Sequence, residues 1–190
     1  MLKAIFGAKC PEQRPNVVYL WTNSIRDGRG ILLNDRNREI IVKSLTRLVW
    51  EEKIKVYGFV IMPNHIHLVW EVIAPADENI PERFRNELTD HIVDNLRTNC
   101  PGILKFFYSG KGIGKYQIWK KEPKLIELRS KLHIKEALKY VHENPAFDRW
   151  DMVKSCIDFK WSSARFYESG IDPFGFLSHY QESQHVSGIA

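Results

Sequence analysis

The stretch from Lys53 to Val72 constrains the fold more than any other part of the chain. From Lys53 to Ile61 the residues Lys-Ile-Lys-Val-Tyr-Gly-Phe-Val-Ile are apolar on both alternating sets, the pattern of a strand covered on both sides. Met62-Pro63-Asn64 breaks the run as a turn, and His65-Ile66-His67-Leu68-Val69-Trp70-Glu71-Val72 resumes it. Two strands across so short a break predict a β-hairpin. Side chains alternate along a strand, so Ile66, Leu68, Trp70 and Val72 share one face, read as the core side, while His65, His67, Val69 and Glu71 share the other. A chain that contains such a hairpin has to extend it into a sheet and bury at least one of its faces.

Val17-Val18-Tyr19-Leu20-Trp21-Thr22, rich in β-branched and aromatic residues, reads as a first strand, with the turn formers Arg26-Asp27-Gly28 after it. With Asn34 or Asp35 as cap, Ile41, Leu45, Leu48 and Glu52 fall on one row, with Val49 beside it, and predict an amphipathic helix over about 36–52. A second helix begins at Pro81, with Phe84, Leu88, Ile92 and Leu96 every four residues. The glycine-rich run from Tyr108 to Gly114 predicts a mobile loop leading into Tyr116-Gln117-Ile118-Trp119, a candidate short strand. It lacks the Gly-Lys-Ser/Thr spacing of a phosphate-binding loop. The last helix is expected over about 130–143, with Ile134, Ala137, Leu138 and Val141 as its buried face and Pro145 as its stop. The resulting division is one domain over residues 1–170 and a loosely held tail at 171–190, whose role the sequence leaves open.

No apolar run approaches the ~18 residues that cross a bilayer, and the opening residues lack the long apolar stretch of a secretory signal, so a cytoplasmic location with no membrane partner is expected. Cys10, Cys100 and Cys156 are odd in number and far apart, which argues against a disulfide framework or zinc knuckle and for reduced thiols. The net charge is +5, but between residues 101 and 140 ten Lys or Arg stand against three acids, an excess larger than that of the whole chain. These cations interleave with Phe106, Phe107, Tyr108, Tyr116 and Trp119. That mixture suits a single-stranded nucleic acid, whose phosphates attract charge and whose bases stack on aromatic rings. Lys111, Lys115, Lys120 and Lys121 are the expected phosphate contacts. The alternative is an ordinary solvated surface over an aromatic core.

His65 and His67 stand ~7 Å apart along their strand, near enough for two ring nitrogens to meet on one divalent cation. Such a pair also occurs as half-exposed polar residues, and two ligands do not make a site. On the last helix Tyr140 and Asn144 are one turn, ~6 Å, apart on the same side. A phenol is a useful nucleophile toward phosphorus, because a tyrosyl ester keeps the energy of the phosphodiester it replaces. From spacing alone Tyr140 reads more readily as a half-buried amphipathic side chain, and Asn144 as a helix-terminal residue. Glu71, on the histidine face, is the nearby base that an unrelated metal-dependent hydrolase would need.

The segment Tyr57-Gly58-Phe59-Val60-Ile61-Met62-Pro63-Asn64-His65-Ile66-His67-Leu68-Val69-Trp70 closely resembles the HUH motif of the IS200-like, single-tyrosine (Y1) transposases and of their domesticated relatives, the REP-associated tyrosine transposases. Tyr116-Gln117-Ile118-Trp119 with Leu138-Lys139-Tyr140-Val141-His142-Glu143-Asn144-Pro145 resembles the family's tyrosine-bearing segment. Trp161-Ser162-Ser163-Ala164-Arg165-Phe166-Tyr167 resembles its closing signature, and the three blocks span roughly residues 15–170 in the family's order. The resemblance implies an α+β fold with a ferredoxin-like antiparallel sheet, helices packed on one face, and the histidine motif on a central strand. It implies His65 and His67 as ligands of Mg²⁺ or Mn²⁺, and Asn144 as a third, polar ligand. Tyr140 would then be the nucleophile that takes a 5′-phosphate from single-stranded or hairpin DNA and leaves a free 3′-hydroxyl. The implied activity is DNA transposition or repeat mobilisation by an HUH endonuclease. The neighbouring readings are a hairpin-binding module without cleavage and a replication initiator or relaxase-type nickase. Relatives act as homodimers or as monomers, and the sequence leaves that choice open. After Pro145 the family's small-and-basic continuation with a glycine is replaced by Ala146-Phe147-Asp148-Arg149-Trp150-Asp151, which bears on substrate positioning more than on chemistry.

Overall fold

The computed structural model describes residues 14–110, 116–148, 150 and 152–183. Strand β1 (Val18–Ser24) is followed by helix α1 (Asp35–Trp50), the hairpin of β2 (Ile54–Met62) and β3 (His65–Val72), helix α2 (Ile80–Asn99), the one-turn α3 (Pro101–Leu104), strand β4 (Lys124–Glu127), helix α4 (Lys131–Phe147) and the short α5 (Ala164–Ser169). The strands lie in the order β2-β3-β1-β4, each antiparallel to its neighbours. β1 and β2 are therefore parallel with β3 between them, as are β3 and β4 around β1. Parallel strands need a crossover, here supplied by α1 and α2. This is the ferredoxin-like α+β sheet that the family resemblance implies, with the histidine strand in a central position.

The local signals act as read. The hairpin turns on Pro63-Asn64 alone, since Met62 pairs with His65. Asn34 caps α1 by accepting the Arg36 amide at 2.9 Å. In α2 the row Phe84, Leu88, Ile92 and Leu96 is buried, and Pro81 sits in the first turn.

Directly paired residues share a face, so Tyr19 and Trp21 lie with Trp70 and Leu68. Phe84 of α2 meets the Trp21 and Trp70 rings there at 6.0 and 5.8 Å. α1 sits beside α2, joined to it by Asn95 Nδ2 donating to Asn37 Oδ1 at 2.7 Å and Ser44 Oγ donating to Glu87 Oε1 at 2.9 Å. The opposite face is closed as well: His67, Val69 and Glu71 are 4%, 0% and 1% exposed. The expected packing of helices on one face therefore holds for α1 and α2 only. α4 lies across the histidine face, because both alternating sets of β2 are apolar and both need cover.

β2 would leave an open sheet edge, and the chain after α4 closes it. Ile61 donates its N–H to Trp161 O at 2.9 Å, Ser163 donates to Phe59 O at 3.0 Å, and Ser178 donates to Val56 O at 2.9 Å. Phe174 and Phe176 pack on Phe59 with ring centroids 4.9 and 5.8 Å away. The segment from residue 171 to 183 is thus not a loose tail but an edge cover, held by aromatic contacts that carry no helical or strand period in the sequence.

Other expectations need correction. Pro145 does not stop α4, which runs on to Phe147; a proline there forfeits a single amide, and the Asp148 N–H closes the last turn on Asn144 O at 2.9 Å. β4 went unforeseen, since four residues with one buried pair, Leu125 and Ile126, are too few to show a period. Phe107 and Trp119, read as stacking surfaces, are 0% and 2% exposed and belong to the core. Tyr116 and Trp119 form isolated bridges with Tyr108 and Ile25 rather than a strand; part of the glycine-rich loop, residues 111–115, lies outside the described residues. Cys100 and Cys156 are free thiols, whereas Cys10 lies outside the described residues. Among the described residues no helix is long and apolar enough to cross a membrane.

α4 packs on the sheet over Gly58, beside a β-bulge between Val56 and Gly58. A Cβ at Gly58 would stand 2.3 Å from Leu138 Cδ2 and 3.1 Å from Ser163 Oγ. Gly58→Ala is expected to lower the unfolding free energy by about 1–3 kcal/mol in a denaturant titration, the range for overpacking a filled core. A variant as stable as the parent would mean that α4 yields freely.

Candidate metal and nucleophile site

β3 begins at His65, so the histidines stand at the strand end beside the hairpin turn, opposite Ser24 and Thr22 of β1. Each ring is held from behind. Thr22 Oγ1 is 2.6 Å from His67 Nδ1, and Asn64 Oδ1 is 2.8 Å from His65 Nδ1. Asn64 Oδ1 also accepts the Trp150 indole N–H at 3.3 Å. It therefore faces His65 as an acceptor, so that Nδ1 carries the proton and Nε2 presents its lone pair. The two rings are 4.7 Å apart, edge to face. Burial holds His67 well below the ordinary imidazole range, and the nearby His65 and Lys124 act in the same direction. A neutral imidazole is the form that binds a metal.

α4 brings the other half. Ser130 caps it by accepting the His133 N–H at 3.1 Å, and Ile134, Ala137, Leu138 and Val141 bury its sheet-facing stripe. His142 Nε2 is 2.8 Å from Ser163 Oγ, which also meets the Phe59 amide at 2.8 Å and carbonyl at 3.2 Å, so the Trp-Ser-Ser block fastens α4 to β2. This docking sets Tyr140 against the His67 ring, 5.1 Å between centroids, and puts Asn144 Oδ1 3.3 Å from His65 Nε2.

Two acceptors so close repel unless a proton or cation lies between them. Ligands ~2.1 Å from one divalent ion stand ~3.0 Å apart when adjacent and ~4.2 Å when opposite. The separation of 3.3 Å between His65 and Asn144 falls in that range, and the His67 ring stands 4.7 Å from that of His65, so these three are the residues that could hold such an ion. Among the described residues no three His, Cys, Asp or Glu side chains gather at one point; the third donor here is an amide. These residues line a cleft of about 500 Å³ together with Thr22, Ser24, Glu143, Phe147 and Asp148. A larger cleft of about 660 Å³ opens on the Trp21 side, but its lining of Asn79, Arg85 and four prolines among others includes no imidazole or phenol.

The four residues singled out in the sequence as nucleophile and ligands thus meet in one place. Lys120 and Lys121 are exposed, and the Lys120 N–H bonds Ser24 O at 2.9 Å, which sets their loop beside the cleft. Lys111 and Lys115 lie outside the described residues. Thr22, Trp150 and Lys124 escaped sequence reasoning: Lys124 pairs with Thr22 and so shares the His67 face, a matter of register that no local pattern reveals. Asn64 could have been found from its place next to His65. Glu71 is buried, accepts the Tyr57 hydroxyl at 2.5 Å and does not line the cleft. It is not placed to serve as a base there.

Neither a protein-family model nor a curated protein matches this chain. Among solved structures, a REP-associated tyrosine transposase bound to a REP hairpin superposes with a TM-score of 0.61 over 97% of this chain and 99% of that one, at 16% sequence identity. That likeness shows the fold, over practically the whole length of both chains.

His142 is neutral in the folded protein, burial having lowered it to about 4. The unfolded chain takes up that proton from about pH 6.5 downward. Between those values the unfolded state binds more protons, so stability is retained above about pH 6.5 and lost as the pH falls toward 4, by on the order of 3 kcal/mol from this residue. The depressed His67 acts with the same sign. Denaturant titrations across this window should show the decline, and a His142→Asn variant should show a shallower one; an equally steep variant would remove His142 as the cause.

Proposed function

We propose that this protein is a single-tyrosine, metal-dependent nuclease and strand transferase of the HUH class, acting on single-stranded or hairpin DNA. The observation that carries the reading is the meeting of Tyr140 with His67, 5.1 Å between rings, in the same cleft where His65 Nε2 and Asn144 Oδ1 stand 3.3 Å apart. These residues come from two distant parts of the chain, and a phenol beside three metal-type donors is the equipment for phosphodiester cleavage by covalent catalysis. The fold of a hairpin-bound tyrosine transposase supports the reading, as do the three motif blocks.

Tyr140 attacks phosphorus through its phenolic oxygen, forming a bond to the 5′-phosphate as the bond to the 3′-oxygen breaks. The leaving oxygen takes up a proton and becomes the 3′-hydroxyl, and the phenol proton is given up to solvent. Reversal with another 3′-hydroxyl joins strands without an outside energy source. A divalent cation such as Mg²⁺ or Mn²⁺, held by His65, His67 and Asn144, would polarise the phosphate and stabilise charge on the leaving oxygen. Thr22 and Asn64 orient the imidazoles for that task. Lys120, Lys121, Lys111 and Lys115 draw the DNA backbone along the rim, and the exposed Phe106 and Tyr108 offer rings for bases. Within one chain Tyr140 reaches the chain's own His67.

Incubation with labelled hairpin-bearing single-stranded DNA and Mg²⁺ or Mn²⁺, followed by a denaturing gel, should reveal a covalent adduct. It should be absent with chelator, with Tyr140→Phe and with His67→Ala. Binding without an adduct across many hairpins would point to a recognition module instead. An adduct that persists in Tyr140→Phe would overturn the assignment of the nucleophile.

A further inference from the structure

We propose that Arg85 is a positioning residue for DNA, clamping the loop that carries Lys120 and Lys121 beside the Tyr140 cleft. The inference rests on the reading that these two lysines contact DNA phosphates. Arg85 Nη1 donates to Lys121 O at 2.8 Å, and Arg85 Nη2 donates to Lys120 O. From the other side the Lys120 N–H donates to Ser24 O at 2.9 Å. Ser24 pairs with His65 and lines the cleft together with His65, His67 and Tyr140. The loop backbone is thereby tied to the end of β1 and to α2 at once, while the side chains of Lys120 and Lys121 stay exposed.

The clamp calls for arginine. A planar guanidinium presents parallel N–H donors that can take two carbonyls together, whereas a lysine ammonium is a point charge on a flexible stem. Its base is rigid, because Phe84 beside it packs on the Trp21 and Trp70 rings and Leu88, one turn on, is buried. Burial pulls the Arg85 guanidinium below the ordinary arginine range, with Glu82 acting the other way, and charge-assisted bonds to the two carbonyls offset the cost of that burial. Arg85 does not line the Tyr140 cleft but the separate one on the Trp21 side, so it acts on DNA through the loop. Between the buried Trp119 and the start of β4 at Lys124 the loop belongs to no helix or strand. Without Arg85 the DNA itself would have to order this backbone and its two long side chains, and that entropy loss lowers affinity.

The test measures binding of a fluorescein-labelled oligothymidine strand to the full chain in chelator, by anisotropy at several salt concentrations. The proteins are the parent, Arg85→Met, Arg85→Lys, the pair Lys120→Ala with Lys121→Ala, and that pair combined with Arg85→Met. Thermal unfolding checks that each variant folds; Arg85→Lys, which keeps the charge but loses the fork, serves if Arg85→Met does not. The expected result is binding about 10-fold weaker in Arg85→Met and in Arg85→Lys, the scale of one charge-assisted hydrogen bond, with a salt dependence shallower by about one unit of slope. Without the two lysines, Arg85→Met should bring no further loss. Parent-like binding in Arg85→Lys, or a further loss of the same size in the lysine pair, would overturn the positioning role, since Arg85 would then act by its own charge. Parent-like binding by the lysine pair would overturn the reading of Lys120 and Lys121 beneath it, and a parent that binds no single strand would overturn the DNA reading itself.

Discussion

The candidate site depends on one contact: the seating of α4 against β2 at a position that has no side chain. With Gly58 bare, Leu138 can lie on the strand, since a Cβ would come within 2.3 Å of its Cδ2. Because helix and strand are each rigid, the depth of that seating fixes everything further along α4. Tyr140 and Asn144 reach the histidine row only if Leu138 does not stand off. The same contact is fastened from the side by Ser163, whose hydroxyl bonds both the Phe59 backbone and His142. A hydrogen bond between the tyrosine helix and the strand next to the histidine strand is thus formed by a residue from a third segment, which explains why three separated sequence blocks occur together.

Much of this was legible in the sequence because it follows from period. Alternation placed His65 and His67 on one face of β3, and the four-residue spacing placed Tyr140 and Asn144 on one side of α4. The hairpin, the caps of α1 and the buried row of α2 are equally local. What remained hidden depends on register or on chain return. Thr22 orients His67 only because β1 pairs with β3 in one particular register, and Lys124 faces His67 only through β4, which is too short to be seen as a strand. The burial of the histidine face could not be read from β3 alone, whose polar set suggests solvent. The apolar residues on both sides of β2 carried that information.

The closing of β2's free edge shows how the C-terminal third serves the site without entering it. Residues 161–163 and 177–178 satisfy backbone groups that an edge strand leaves open, while Phe174 meets Phe59 edge to face and Phe176 stacks on it. An edge so covered offers fewer open backbone groups for a further strand. A segment that reads as a tail in composition is in this way part of the platform on which the Tyr140 helix rests.

The stretch after Pro145, where the sequence leaves the family pattern, has a larger part than substrate positioning. Trp150 donates its indole N–H to Asn64 Oδ1, and that oxygen holds the Nδ1 proton of His65. Asp148 stands on the other side of the same imidazole, 4.0 Å from Nε2. The Asn64 oxygen that meets His65 Nδ1 is therefore itself held by Trp150, from a segment that resembles nothing in the motif. Replacing those residues changes the orientation and charge around His65 even though His65 itself is kept. At the same cleft Phe147 is 81% exposed, an aromatic ring facing solvent where the resembled family carries small and basic residues. Under the proposed function such a ring would meet bases by stacking, which tolerates any sequence, where a basic side chain would act by charge.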